Sequence, residues 1–371
     1  MTIIQAAQSL SQRVAILGSG ISGSSAARRL AENGLKVTVF EGGFGAGGRT
    51  STRFTRDEHQ YQFDHGAQYI GSPKTKDFEK ALLQWKSDGF VKDWSDGNFF
   101  TAKADLEVRM DEKKDRFVGY PKMSSICENL LKHENINLVT QTQARASLDG
   151  EGKWKLIHGK TKEDVGTFDW LIASDRNSAN GRRKDLSSAD VKDFATSVRK
   201  IKPVKSLTAM VVFDKPLDIG MDGVLFEGEN YGSLGWIARD SSKPGRERDD
   251  GRECWVIQTN PDAAKALLEG KESLDEIREI AKTVLVDDLL KVLPSLKPGL
   301  EIPEIQESMG HRWGAAFPIN TNTEYAEMDS QIFESKKFVA CGDYFGKYSG
   351  RIEGAYLSGI SAADQLINAT T

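Results

Sequence analysis

Cysteine is scarce in this sequence. Its 371 residues hold three, Cys127, Cys254 and Cys341, far apart and with no CxxC pair. That excludes a disulfide framework and a cysteine zinc knot, and points to idle thiols in a reducing compartment. The five histidines, His59, His65, His133, His158 and His311, do not group with them, so no metal site is expected. A run of about 18 apolar residues is also missing, so no segment is expected to span a bilayer. The stretch from Met1 to Arg13 has no apolar signal core. The expected compartment is therefore the cytoplasm, or an organelle if a transit peptide has been removed. Charge of one sign is not in excess either: 50 Lys and Arg oppose 54 Asp and Glu, a net charge of −4. Nucleic acid and anionic membranes are not expected partners. No Ser/His/Asp or paired-carboxylate arrangement stands out.

What is present is an ordinary globular composition, 39% hydrophobic and 28% charged. The chain is longer than one core usually supports, so two domains are expected. Val14–Leu17 is a short apolar run of the buried-strand kind, ended by Gly18. A helical pattern follows from Ile21 to Asn33, with Ala26, Ala27 and Leu30 on one side and Asn33-Gly34 as its C-cap. Lys36–Phe40 then reads as a second, parallel strand carrying Glu41 at its end. Further strand patterns lie at Tyr61–Ile70, Ile136–Val139, Trp154–Ile157, Phe168–Ala173, Val204–Phe213, Ser233–Ala238, Glu253–Thr259, Ile302–Trp313 and Lys337–Cys341. Helical patterns lie at Lys74–Lys86, Ser124–His133, Ser273–Leu293 and Gly354–Ile367. The polar stretch Asn177–Asp190 reads as a domain crossover. Asp240–Arg252, with six charges after Pro244-Gly245, reads as an exposed hairpin loop.

The most informative local signal is Gly18-Ser-Gly20-Ile21-Ser22-Gly23. The spacing alone is weak, but here it follows a strand, opens a helix and precedes Glu41 by 23 positions from Gly18. That is the context of a dinucleotide-binding βαβ unit. Gly18 permits the tight turn, Gly20 lets backbone approach a pyrophosphate, and Gly23 lets the helix pack on the strand. The helix start offers free N–H groups and positive dipole to the anion. Glu41 is placed to accept ribose hydroxyls, and its charge disfavours a 2′-phosphate. After five intervening residues, Gly47-Gly48-Arg49-Thr50 would double the chain back over the pyrophosphate, with Arg49 neutralising it. Simple nicotinamide dehydrogenases need no such element.

Glu41-x5-Gly-Gly-Arg resembles the flavin amine oxidase and renalase superfamily. Phe63-Asp64-His65-Gly66-Ala67-Gln68-Tyr69 is similar to the strand that family sets beside the flavin ring. Cys341-Gly342-Asp343 with Arg351-Ile-Glu353-Gly354-Ala355-Tyr-Leu-Ser-Gly359 resembles its closing segment. The three motifs stand in the family's order and bracket nearly the whole chain. The resemblance implies non-covalent FAD, held by Gly18 to Gly23, Glu41, Gly47 to Arg49, Gly66 to Tyr69, Gly342, Asp343, Arg351, Glu353, Gly354 and Ala355. In that scheme Asp343 bonds the ribityl chain, and the last helix turns its N-terminus to the flavin pyrimidine. Ala144 would face adenine, and Ala173 and Ser174 would end a strand under the adenosine.

The expected fold is α/β: a doubly wound Rossmann-type FAD-binding domain from residues 1–95, 115–205 and 330–371, and an α+β mixed-sheet substrate domain from 96–114 and 206–329. Within the superfamily the renalase-like branch fits best, by the short chain and by Gly310-His311-Arg312-Trp313. Trp313 would wall a planar slot in which stacking favours a nicotinamide ring. Trp236 and Tyr344 are further aromatic candidates, with a core position as the plain alternative. His65 reads as a flavin neighbour or a proton carrier. Gln258 departs from the family, where a His is expected in animal renalases, and so bears on the substrate. The implied activity is oxidation of isomeric dihydronicotinamide nucleotides, with O2 reduced to hydrogen peroxide. An amine oxidase and a non-catalytic FAD-binding protein are the rival readings.

Overall fold

In the computed structural model, residues 12–181, 185–187, 189–319 and 323–371 are described. The polar start Met1–Ser11, and positions 182–184 and 188 of the expected crossover, lie outside them. The first strand, Arg13–Leu17, sits in the middle of a six-stranded sheet. Its order is Ile136–Val139, Lys36–Phe40, Arg13–Leu17, Trp170–Ala173, Phe338–Ala340, Gln331–Phe333. The first five run parallel and the last is an antiparallel edge.

Alternation along the central strand assigns its two faces. Val14 and Ile16 pack with Ala26, Ala27 and Leu30 of the helix Ile21–Glu32 and with Ala362, Ala363 and Leu366 of the closing helix Ile352–Thr370. Ala15 and Leu17 face the other way, onto Ala144, Trp154, Leu156 and Phe168 of a small antiparallel sheet. A strand buried on both faces needs a continuous apolar run, and that is what these residues supply.

A seven-stranded sheet makes the second layer. Its order is Ile305–Ile319, Lys202–Phe213, Glu253–Thr259, Leu234–Arg239, Gly223–Phe226, Phe99–Ala102, Val108–Met110. The excursion at 96–114 therefore contributes its two strands here, one of them parallel to Gly223–Phe226. One face of this sheet packs on the helix Leu274–Leu296 through Leu207, Ala209, Val211, Trp255 and Ile257. The alternate residues Met210, Val212, Cys254 and Val256 face Tyr61 and Phe63.

Two expectations need correction. Tyr61–Ile70 is not one strand: only Gln62–Phe63 and Ile70–Gly71 are paired, and the backbone between them bonds to side chains and, at Ala67, to the Arg49 carbonyl. Asp240–Arg252 is not simply an exposed loop, because Asp240 and Lys243 are 0% exposed and Arg246 is 4% exposed. Their charges find partners inside the protein, which a one-dimensional charge pattern does not register. Smaller differences are a shorter helix, Ser125–Leu130, and a long strand, Ile305–Ile319, that runs past Trp313.

The closing helix lies on the glycine-turn helix at Gly359, where a Cβ would fall well inside contact with the Ser22 carbonyl oxygen. Helix propensity alone would make Gly359→Ala stabilising by roughly 1 kcal/mol. Overpacking against backbone costs more, roughly 1–3 kcal/mol. Gly359→Ala is expected to lower unfolding free energy in a urea titration; an unchanged or raised midpoint would refute the close-packed contact.

Candidate functional site

A cavity of about 640 Å³ opens between the two sheets and is lined by residues from both ends of the chain. Its size is in the range of cofactor and ligand sites. Gly18, Gly20, Ile21, Ser22, Glu41, Gly47, Gly48 and Arg49 form one stretch of wall. Gly18 has φ +101°, and Ser174 braces the turn by donating its hydroxyl to the carbonyls of Leu17 at 2.7 Å and Gly18 at 3.1 Å. Gly23 does not reach the wall; a Cβ there would collide with the Gly18 carbonyl, so its role is helix-to-strand packing. The helix begins at Gly20 with no side-chain cap, leaving its first amides to the cavity. Glu41 accepts from Ser19 Oγ at 2.6 Å and from the Gly43 amide at 2.7 Å, which holds its carboxylate beside the turn. Ala144 lines the cavity with Thr142, Gln143, Asp175 and Asp185, while Ala173 is buried behind it.

The second helix start comes from the C-terminal end. Arg351 is the N-cap of Ile352–Thr370, again with no side-chain cap, and Arg351, Ile352 and Ala355 line the cavity. Asp343 also lines it and takes a two-pronged bond from Arg49, 2.6 Å on each oxygen. Gly342 does not reach the wall: with φ +141° it sets the turn, and its amide donates to Ser358 Oγ at 2.8 Å. Gly354 is a packing position against the Tyr348 carbonyl. Glu353 was expected beside the cofactor, but the structure turns it away. It is 3% exposed and accepts from the amides of Lys74 and Thr75 and from the Thr75 hydroxyl at 2.9 Å. It ties the closing helix to the start of the helix Lys76–Ser87, because a carboxylate is favoured where amides are free.

At the other end of the cavity lies the Phe63–Tyr69 segment, of which Gly66 and Ala67 line the wall. Three adjacent strands of the seven-stranded sheet hold its carbonyls. Trp313 Nε1 donates to His65 O at 2.8 Å, Thr208 Oγ1 to the same oxygen at 3.3 Å, and Gln258 Nε2 to Gly66 O at 2.7 Å. Thr208 pairs with Gln258 on one side and with His311 on the other, so these side chains share one face. Trp313 stands on the cavity wall with Gln258, His311 and Arg312. His65 lies behind that wall, 5% exposed, with its ring 4.6 Å from His311 and 4.9 Å from Trp313. Gln68 and Tyr69 also point elsewhere: Gln68 donates to Asp64 O at 2.5 Å, and Tyr69 packs on Trp236 and Trp94. Trp236 joins that cluster, off the cavity wall.

Tyr344 is the aromatic candidate the structure moves furthest. It is 0% exposed and packed against Tyr325 and Phe345, away from the cavity. Its neighbour Asp343 faces the site, the two side chains diverging in the tight turn closed by the Phe345 amide on the Gly342 carbonyl. The wall residues Asp175, Asp185, Ser206 and the run 314–318 were not singled out in the sequence. Only Asp175 carried a signal, as the acid at a strand end followed by Ser178, with which it forms a capping box.

Residues 16–82 match the NAD(P)-binding Rossmann-like domain family. Cyclohexylamine oxidase from Brevibacterium oxydans IH-35A superposes with a TM-score of 0.68 at 14% identity, over 96% of this chain and 99% of that one. Putrescine oxidase bound to putrescine gives 0.65 at 12% identity, over 97% and 99%. A candidate protoporphyrinogen oxidase from Exiguobacterium sp. 255-15 gives 0.63 at 12% identity, over 97% and 98%. The chain shares the fold of these three oxidases. Among the described residues no helix is long and apolar enough to cross a membrane.

Burial and the nearby Arg53 hold His65 down at about 4, and burial with His65, Arg53 and Arg278 holds His311 at about 3. Both rings are neutral at neutral pH. An unfolded His binds a proton near pH 6.5 while folded His65 does so only near 4, so acid favours unfolding in that window. His65 is expected to cost about 3 kcal/mol of stability between those limits. Denaturant titrations at several pH values should show a shallower acid loss in His65→Gln than in the parent; identical slopes would refute the buried neutral ring.

Proposed function

We propose that the chain is an FAD-dependent oxidoreductase, and within that class a renalase-like oxidase acting on isomeric dihydronicotinamide nucleotides. The cofactor reading is supported by two uncapped helix starts, at Gly20 and Arg351, that meet one cavity with Arg49 between them. Two such termini suit an elongated dianion with further acceptor groups, and the Arg49 guanidinium would join them by exchanging its Asp343 pair for the anion. In this reading Gly18 to Ser22 and Arg49 would hold the pyrophosphate, Glu41 the adenosine ribose, Ala144 the adenine, and Asp343 the ribityl chain. Gly66 and Ala67 would lie against the flavin ring, and Gly66 is held close on the Arg49 backbone, whose carbonyl oxygen a Cβ would meet well inside contact distance. Residues 1–95, 115–205 and 330–371 form the cofactor part in this proposal, and 96–114 and 206–329 the substrate part.

When bound, FAD would supply a two-electron acceptor for a hydride, the electrons ending on oxygen as hydrogen peroxide. The chain's own contribution is binding and orientation. Trp313, pinned through its indole N–H, presents a flat wall for a planar substrate ring. Gln258 and His311 flank it.

The observation that carries the substrate reading is what lines the Trp313 end. From Pro203, Ser206 and Gln258 to the run 311–318, that stretch of described wall contains no carboxylate, and its charged member is Arg312. A protonated amine would find no counter-ion there, and His311, neutral down to about 3, would be a poor acceptor of its proton. A dihydropyridine becomes aromatic on losing hydride and needs neither. Its phosphates also tolerate Arg312. The amine-oxidase reading rests on the fold, which hosts many functions.

Anaerobic bleaching of the purified yellow protein is the deciding measurement. Fast bleaching by α- or 6-dihydronicotinamide nucleotides, with β-NADH and amines inert, is the expected result, and Trp313→Ala should slow it while retaining FAD. Bleaching by amines alone would move the protein to the amine oxidases, and indifference to both would make it a binding protein. Separately, Glu41→Ala is expected to weaken FAD binding by roughly 1–3 kcal/mol, the worth of a charged hydrogen bond. Unchanged affinity by calorimetry of the apoprotein would remove Glu41 as the ribose anchor.

A further inference from the structure

Behind the Phe63–Tyr69 segment, on the side away from the cavity wall, lie four buried charges. Asp64, Asp240 and Lys243 are 0% exposed and Arg246 is 4% exposed. Asp64 accepts from Arg246 at 2.5 Å, from Lys243 at 3.3 Å, from the Thr52 hydroxyl at 2.6 Å and from the Met123 amide at 3.1 Å. Lys243 donates to Asp240 at 2.6 Å and to Gln68 Oε1 at 3.4 Å, and its ammonium stands 5.3 Å from the Trp94 ring. Gln68 closes the circuit by donating to the backbone oxygens of Asp64 at 2.5 Å and Gly66 at 3.1 Å.

Two carboxyls face two cationic groups, so with all four ionised the set is neutral, while burial and the Asp64 charge push the Asp240 carboxyl up. A neutral buried ion cluster is seldom a net gain over an apolar core of the same volume, because desolvation offsets the Coulomb attraction. Stability alone is therefore a weak reason for it. The cluster's contacts supply another. They reach the same short segment whose His65 and Gly66 carbonyls are held from the opposite side by Thr208, Gln258 and Trp313. Among the described residues the segment has strand partners only at its ends, and between them a single backbone bond, Ala67 N–H to Arg49 O at 2.8 Å, is supplemented by side chains.

We propose that Lys243 is a positioning residue which, through Asp64 and Gln68, fixes Gly66 and Ala67 at the cavity wall for the reaction. The link to catalysis rests on the FAD-dependent reading; the link to segment geometry does not. Deleting Lys243 alone would strand a buried negative charge, so the test removes one charge of each sign in Lys243→Met with Asp240→Asn. A second variant, Gln68→Leu, removes the relay without touching a charge. Amide hydrogen exchange of residues 63–69, measured in both variants with and without added FAD, should speed up by roughly tenfold or more, while Arg13–Leu17 stays protected. With whichever reductant bleaches the parent, kcat should fall roughly tenfold or more, with a smaller change in KM.

Unchanged exchange at 63–69 would overturn the proposal, as would acceleration spread over the whole chain. If the double variant does not fold, Gln68→Leu decides; loss of folding there too would assign the network to stability and overturn the positioning role. Exchange needs no bound flavin, so failure of the cofactor reading leaves this result separate.

Discussion

Backbone meeting backbone, with no Cβ between, is the constraint on which this site depends. At Gly23 the first helix touches the glycine turn, and at Gly359 the last helix touches the first. Larger residues at these points would push the two helices off their seats. Their N-termini would then no longer open on one cavity. The helix dipoles act only over about the first turn, so a displacement of a few ångströms would remove most of the attraction for an anion. Close packing at residues remote from any ligand thus sets the electrostatics of the wall. Arg49 and Asp343, 294 positions apart, complete the junction with their paired bonds.

The cavity is electrostatically uneven. Its carboxylates, Glu41, Asp175, Asp185 and Asp343, belong to the Rossmann-type half, and the wall from the seven-stranded sheet has none among its described residues. Hydroxyls and a guanidinium are the natural partners of the first group. The second offers a flat indole, an amide and neutral imidazole. One end is thus equipped to bind polar groups tightly. The other presents a planar ring to a neighbour without moving a proton. The two imidazoles of that end, His311 on the wall and His65 behind it, are neutral near neutral pH and weak as bases.

The parts of this arrangement that were legible in the sequence are those whose physics is local. The strand, glycine turn and helix from Arg13 to Glu32 follow from an apolar run, three glycines and a C-cap, all within a short stretch. The strand Glu253–Thr259 was legible to the residue because its apolar run Cys254–Ile257 is bounded by charged and turn residues. Glu353 was misread because its motif places it next to cavity residues, yet one step along a helix turns a side chain by about 100°, here towards the amides of Lys74 and Thr75. Tyr344 failed for the same reason: a neighbour in sequence is not a neighbour in space. Asp240, Lys243 and Arg246 look like a solvated loop in one dimension, because their partner Asp64 lies about 180 residues away and no local pattern announces it.

That buried quartet shows how the two halves of the chain bear on each other. Breaking a buried ion pair by removing one partner typically costs about 3–5 kcal/mol, although the intact pair adds little over an apolar substitute. Such a cluster therefore tolerates few geometries: every member must be present and placed for any to be acceptable. Asp64 belongs to the first half and the other three charges to the loop of the second, so the condition applies between the halves. The backbone that joins them at the cavity is thereby held to one conformation. Loose apolar packing, which accommodates shifts by trading one contact for another, would not impose that. Burial normally raises a carboxyl, yet Arg246 and Lys243 outweigh it and hold Asp64 below its ordinary range. The carboxylate that anchors the segment is thereby favoured in its charged form as the partner of Arg246 and Lys243.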